Sequence, residues 1–70
     1  MNEGPHISVN GDPHEVPSDT TLRRLLAILD MQDRRVAVAI NRGIVPRARY
    51  DTVVLADGDR IEILEAVGGG

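Results

Sequence analysis

The sequence predicts an α+β fold, a mixed sheet of four to five strands covered on one face by one helix. Three observations carry that expectation. Only one stretch, Leu22, Leu25, Leu26 and Leu29, places leucines at offsets of three, four and seven, the spacing of a single helix face. Around it lie short runs in which large apolar residues alternate with polar or small ones, the period of strands buried on one side. Turn chemistry separates those runs at Asn10-Gly11-Asp12-Pro13, Asn41-Arg42-Gly43 and Asp57-Gly58-Asp59.

The first run, His6 to Asn10, is followed by the turn and by His14 to Pro17, so the pair reads as a hairpin. Ile7 and Val9 share a face that Val16 joins, leaving His6, Ser8 and Asn10 on the other. Ser18, Asp19, Thr20 and Thr21 supply N-cap chemistry for the helix. Its leucine stripe is widened by Ile28, with Arg23, Arg24 and Asp30 on the wet side, and it should end between Asp30 and Gln32. After the charged connection Asp33-Arg34-Arg35, a strand from Val36 to Asn41 directs Val36, Val38 and Ile40 toward the helix and Ala37 and Ala39 away. Ile44-Val45-Pro46 is a short strand whose proline, lacking an N–H, suits a sheet edge. Tyr50, Val53, Val54 and Leu55 are candidates to anchor the irregular stretch that follows. The last strand begins at Arg60, with Ile61 and Ile63 on one face and Glu62, Leu64 and Ala66 on the opposite one.

Strand, strand, helix, strand, short strand, strand is the order of the β-grasp, or ubiquitin-like, fold. A helix between the second and third strands requires a crossover, so the sheet is mixed, and the final strand falls centrally beside the first. Residues 1–67 then form the domain and 68–70 a flexible C-terminal glycine tail. A strand held on both edges would fix the root of that tail.

Composition narrows the function. A chain of 70 residues buries only roughly 60% of its unfolded surface, which leaves no room for a deep catalytic cleft with its own supporting shell. A carrier or binding module is expected rather than an enzyme. The absence of cysteine excludes a disulfide framework and thiolate metal sites. The start, Met1 to Pro5, has neither the basic nor the apolar region of a signal peptide, and no span suits a membrane, so the cytoplasm is the expected location. A net charge of −3, scattered basic residues and a single aromatic, Tyr50, argue against nucleic acid as a partner. All eight basic side chains are arginine. Guanidinium stays protonated, so an activated carboxyl on this chain would meet no side-chain amine of its own.

The sequence closes on Gly68-Gly69-Gly70 after an apolar strand. An unbranched tail of this kind can enter a narrow cleft, and the carboxylate of Gly70 is a chemical handle that an activating enzyme could make reactive. Ala37, Ala39, Leu64 and Ala66 all point away from the helix on strands expected to lie near one another. They form a small apolar patch at the root of the tail, where a partner handling Gly70 would sit. His6 and His14 lack a third ligand and read as ordinary strand residues. Asp57 and Asp59 are accounted for by turn chemistry, and Arg47 and Arg49 by a solvated edge. No phosphate-binding loop or Ser/His/Asp pattern is present.

Together, Val9-Asn10-Gly11, Thr20-Thr21-Leu22 leading to Leu25-Leu26, Val38 to Asn41, Ile44-Val45-Pro46-Arg47, Asp57 to Ile63 and Ala66 to Gly70 resemble the ThiS family, the sulfur carriers of thiamine thiazole biosynthesis. The third glycine departs from the Gly-Gly end of that family; Gly69 and Gly70 match its pair and Gly68 precedes them. The resemblance implies that Gly70 carries the reactive carbonyl while Gly68 and Gly69 thread it into partner enzymes. It implies a ThiF-like adenylyltransferase, related to ubiquitin-activating enzymes, that uses ATP and magnesium, with no cofactor held by this chain. A persulfide donor such as a cysteine desulfurase would provide sulfur, and a ThiG-like thiazole synthase would accept it from the thiocarboxylate. Three other readings share the fold: the small subunit of molybdopterin synthase, a ubiquitin-like protein modifier, and a plain interaction module with an inert tail.

Overall fold

A computed structural model of the chain describes residues 4–65, and Ala66 to Gly70 lie outside the described residues. Five strands form one sheet in the order β2-β1-β5-β3-β4, with β1 at His6–Val9, β2 at Asp12–Glu15, β3 at Val36–Ile40, β4 at Gly43–Val45 and β5 at Arg60–Glu65. One helix, α1, spans Leu22–Ile28. β1 and β5 are parallel, and every other pairing is antiparallel. The mixed β-grasp sheet expected from the element order is therefore present, with the last strand at its centre.

Both hairpins are tighter than the sequence reading placed them. In the first, Val9 faces Asp12 across a two-residue turn in which Asn10 (φ 50°) and Gly11 (φ 90°) are both left-handed. Such a turn matches the twist of the strands it joins, and glycine takes its second position without a Cβ penalty. Pro13 consequently lies inside β2, opposite Ser8, rather than in the turn. Ser8 sends its N–H the other way, to the Asp59 carbonyl (3.0 Å), so a proline on this outer strand removes no rung of the ladder. The second hairpin turns at Asn41 (φ 52°) and Arg42 (φ 73°), and Gly43 opens β4 instead of closing the turn. Pro46 follows β4 and leads into a 3-10 turn over Arg47–Arg49.

The helix is held at both ends. Thr21 is its N-cap, its hydroxyl accepting from the Arg24 N–H (3.1 Å). The Leu22 and Arg23 N–H groups, which have no partner within the helix, donate to the Val53 and Tyr50 carbonyls (2.9 and 3.0 Å). The irregular stretch after Pro46 thus completes the cap, reinforced by a bridge between Thr21 and Val54 and by the Arg23–Asp51 ion pair. The helix stops at Ile28, earlier than its periodicity suggests. Asp30 is left-handed (φ 61°), its N–H bonds the Ala27 carbonyl (3.0 Å), and the Met31 N–H bonds the Leu26 carbonyl (2.7 Å), which closes a Schellman motif.

The core lies between α1 and one sheet face: Leu22, Leu25 and Leu26 pack on Ile7, Val9, Val38, Ile61 and Ile63, with Val16, Tyr50 and Leu55 at the margins. Fully burying one such side chain contributes roughly 1.5–3 kcal/mol, so this cluster supplies most of the driving force. Two residues assigned to it from the sequence stand outside. Ile28 is 49% exposed because the helix ends before its turn can press it inward, and Val54 is 53% exposed because the bridge to Thr21 sets its neighbours, Val53 and Leu55, inward instead.

Candidate functional site

β5 positions the site. Its side chains alternate, Ile61 and Ile63 entering the core while Glu62 and Leu64 face outward, and its ladder with β3 runs without a break from Ile40 opposite Ile61 to Val36 opposite Glu65. On the other side, β1 pairs only with Arg60 and Ile61, then turns away at Asn10. The Asn10 side chain extends the pairing. Its amide oxygen accepts from the Ile63 N–H (2.8 Å) and its amide nitrogen donates to the Ile63 carbonyl (3.1 Å), as a strand backbone would. Asn41, at the equivalent position of the second turn, takes the Arg60 N–H on its side-chain oxygen (3.0 Å) and donates to Asp59 (3.0 Å). One asparagine from each hairpin therefore grips the central strand. Beyond Ile63 the described part of β5 is held by β3 alone, so the two-sided grip expected from centrality stops short of the strand's end.

The outward face of the sheet carries the apolar patch read from the sequence. Ala37 lies directly opposite Leu64, and Ala39 opposite Glu62, so these side chains share one surface. Leu64 is 71% exposed. Sequence reasoning missed Ile44, which sits opposite Ala39 on β4 and is 75% exposed. Shortening the second turn to two residues is what places Ile44 on this face, and that register was the available signal. Ala66, Gly68, Gly69 and Gly70 lie outside the described residues; Glu65, the last described residue of β5, is paired through its carboxylate with Arg34 (3.1 Å).

Other candidate groups fall into structural roles. His14 is opposite Ile7 and His6 opposite Glu15, so the histidines project to opposite faces of the sheet, and no metal-binding cluster occurs among the described residues. Asp57 accepts the His6 N–H (2.8 Å), and Asp59 accepts the Ala56 N–H (2.8 Å) as well as the Asn41 amide. Both carboxylates hold the turn that launches β5. Among the described residues no helix is long and apolar enough to cross a membrane.

Comparison with known proteins fits this geometry. The model of the ThiS family matches residues 7–70. The sulfur carrier protein ThiS of Bacillus subtilis is 38% identical over 65 residues, which cover 91% of this chain and 98% of that protein. A thiazole synthase of Magnetococcus marinus is 42% identical over 64 residues, 91% of this chain. The chain spans only 20% of that synthase's length, and the same share of a second one, from Paramagnetospirillum magneticum. A crystal structure of the thiamine biosynthesis protein ThiS from Geobacter metallireducens superposes with a TM-score of 0.76 at 32% identity, covering 93% of this chain and 99% of the other. A family match through nearly the whole sequence, full-length similarity to a sulfur carrier and the shared fold lead to one conclusion: this chain belongs to the ThiS family.

Proposed function

We propose that the chain is a sulfur carrier of thiamine biosynthesis, a cosubstrate of partner enzymes rather than a catalyst, working in the cytoplasm through the carboxylate of Gly70. The observation that carries this reading is the family match extending through Gly70, set beside a sheet that aims β5 past an open apolar face. A free α-carboxylate titrates at about 3.5 and is ionised at neutral pH, so it is a poor electrophile and needs activation. An adenylyltransferase using ATP and magnesium would join it to AMP with release of pyrophosphate. The terminal sulfur of a persulfide would then displace AMP, and a thiol would free the thiocarboxylate while being oxidised to a disulfide. Thiazole synthase would consume that sulfur and return the carboxylate. The similarity to thiazole synthases that contain a segment like this chain supports that enzyme as a partner.

On this reading the domain is a handle. Ala37, Ala39, Ile44 and Leu64 form the surface on which a partner docks, and Gly68 and Gly69 thread Gly70 into its active site. Mass spectrometry of the protein from its native host tests the proposal. A mass increase on Gly70 equal to exchange of oxygen for sulfur is the expected result. Isopeptide adducts to other proteins, or an unmodified C-terminus during thiamine synthesis, would overturn it.

A further inference from the structure

Four arginines gather near the Glu65 end of β5 in a chain whose overall charge is −3. Arg23, Arg34 and Arg47 line a small hollow beside Tyr50 and Val36, and Arg35 and Arg47 line an adjoining open groove with Val36, Ala37, Leu64 and Glu65. Glu65 is the one acid lining either of them. It pairs with Arg34, and Arg23 pairs with Asp51. That leaves Arg35 and Arg47 exposed and meeting no acid among the described residues. The Asp57 and Asp59 carboxylates sit before the other end of β5 and are engaged by backbone N–H groups.

We propose that Arg35 and Arg47 are electrostatic docking contacts for carboxylates bordering the tail-accepting cleft of the partner enzyme, and that they set the orientation in which the apolar face lands. The inference rests on the sulfur-carrier reading and adds the chemistry of the partner's surface. The two guanidiniums come from different segments, the connection before β3 and the 3-10 turn after β4, and flank the groove that Ala37 and Leu64 floor. An apolar floor with a cationic border fits a protein surface of matching apolar centre and acidic rim. It fits a nucleotide phosphate less well, because both cations are exposed and the groove is open. Charges at such a rim act chiefly on the rate of association, since they steer the encounter before the apolar surfaces meet. Arginine also keeps its charge at any working pH and binds carboxylates through a planar fork.

Association of the full chain with thiazole synthase from the same organism, followed by stopped-flow at low and raised salt, tests this. The double variant Arg35→Glu/Arg47→Glu should associate about tenfold more slowly at low salt, with a smaller change in dissociation and a flatter salt dependence. Reversal at the other end of β5, Arg60→Glu, should leave the rate within about twofold. Binding of the wild type with an unchanged association rate for the double variant would overturn the docking contacts and leave the carrier reading standing. No binding by the wild type would overturn the choice of partner and the carrier reading with it. Chemical-shift changes at Arg35 and Arg47 when magnesium-ATP is added to the chain alone would overturn the assignment to partner carboxylates in favour of phosphate.

Discussion

The two faces of the sheet are built from the same strands and differ in nearly everything else. Val38, Ile61 and Ile63 on one face are almost wholly buried under α1, while Ala37, Leu64 and Ile44 on the other are exposed. A period of two along β3 and β5 assigns each residue to one face or the other, so stability and recognition are written on alternate positions of the same strands. The covered face is filled by large side chains because apolar area removed from water stabilises the fold. Beside β5 the open face carries Ala37 and Ala39 with Leu64 and Ile44 as its large contacts, while Ser8, Glu15 and Glu62 leave the rest of it polar, so it adds little to folding. The two properties should therefore be separable by mutation.

The largest effect is expected on the covered face. Leu25 is fully buried, and Leu25→Ala should lower stability by about 2–5 kcal/mol in urea or thermal unfolding, a large fraction of what so small a domain possesses. Ile44→Ala, on the open face, should change it by less than about 0.5 kcal/mol. Equal losses from both would end the distinction between the faces. Gly69→Val should touch neither face: unfolding stays as in the wild type, while sulfur transfer in a reconstituted assay falls about a hundredfold because the tail is widened and its carbonyl misplaced. Undiminished transfer would refute threading.

Leu64→Asp places a charge where a partner surface should close. Calorimetry should find binding to the activating enzyme weakened by about 2 kcal/mol, roughly thirtyfold, with stability preserved. Unchanged affinity would remove the open face from the docking surface. Asn10 belongs to neither face in this respect, since its side chain grips the β5 backbone. Asn10→Ala leaves two part-buried backbone groups of Ile63 without their partner and should cost about 1–2 kcal/mol. Faster hydrogen exchange at the Ile63 amide, relative to that of Ile61, is the sharper readout. A modest gain is expected at Arg42, a long side chain in the left-handed region beside the open face. Arg42→Gly should raise stability by about 0.5–1 kcal/mol, because relief of strain exceeds the extra backbone entropy lost on folding. A loss of stability would mean that the Arg42 side chain contributes packing that outweighs the strain.

Much of this was legible in the chain. The leucine spacing located α1, the alternation in Val36 to Ile40 and in Arg60 to Leu64 assigned faces correctly, and the Asp57-Gly58-Asp59 turn performs the structural role its composition suggested. Boundaries were less legible. Pro13 read as a turn residue because prolines break ladders in general, and only the edge position of β2, with Ser8 bonded to the other side, makes it harmless within a strand. Ile28 read as core because periodicity has no knowledge of where a helix will stop, and the stop is set by a left-handed aspartate rather than by a glycine.

Residue type and spacing along the chain were enough for the element order, the inward and outward sets and the glycine ending, and the β-grasp order they spell out implied the central place of the last strand. Tertiary structure alone decided which distant residues meet. Asn10 reaches Ile63 across 53 positions, Ile44 comes to lie opposite Ala39, and the 3-10 segment brings Arg47 to the same groove as Arg35. The physical reason is that hydrogen-bond register and loop closure are set by the packed whole. A period of two along the chain says which way a side chain points, while what it points at is fixed only when the strands are laid side by side.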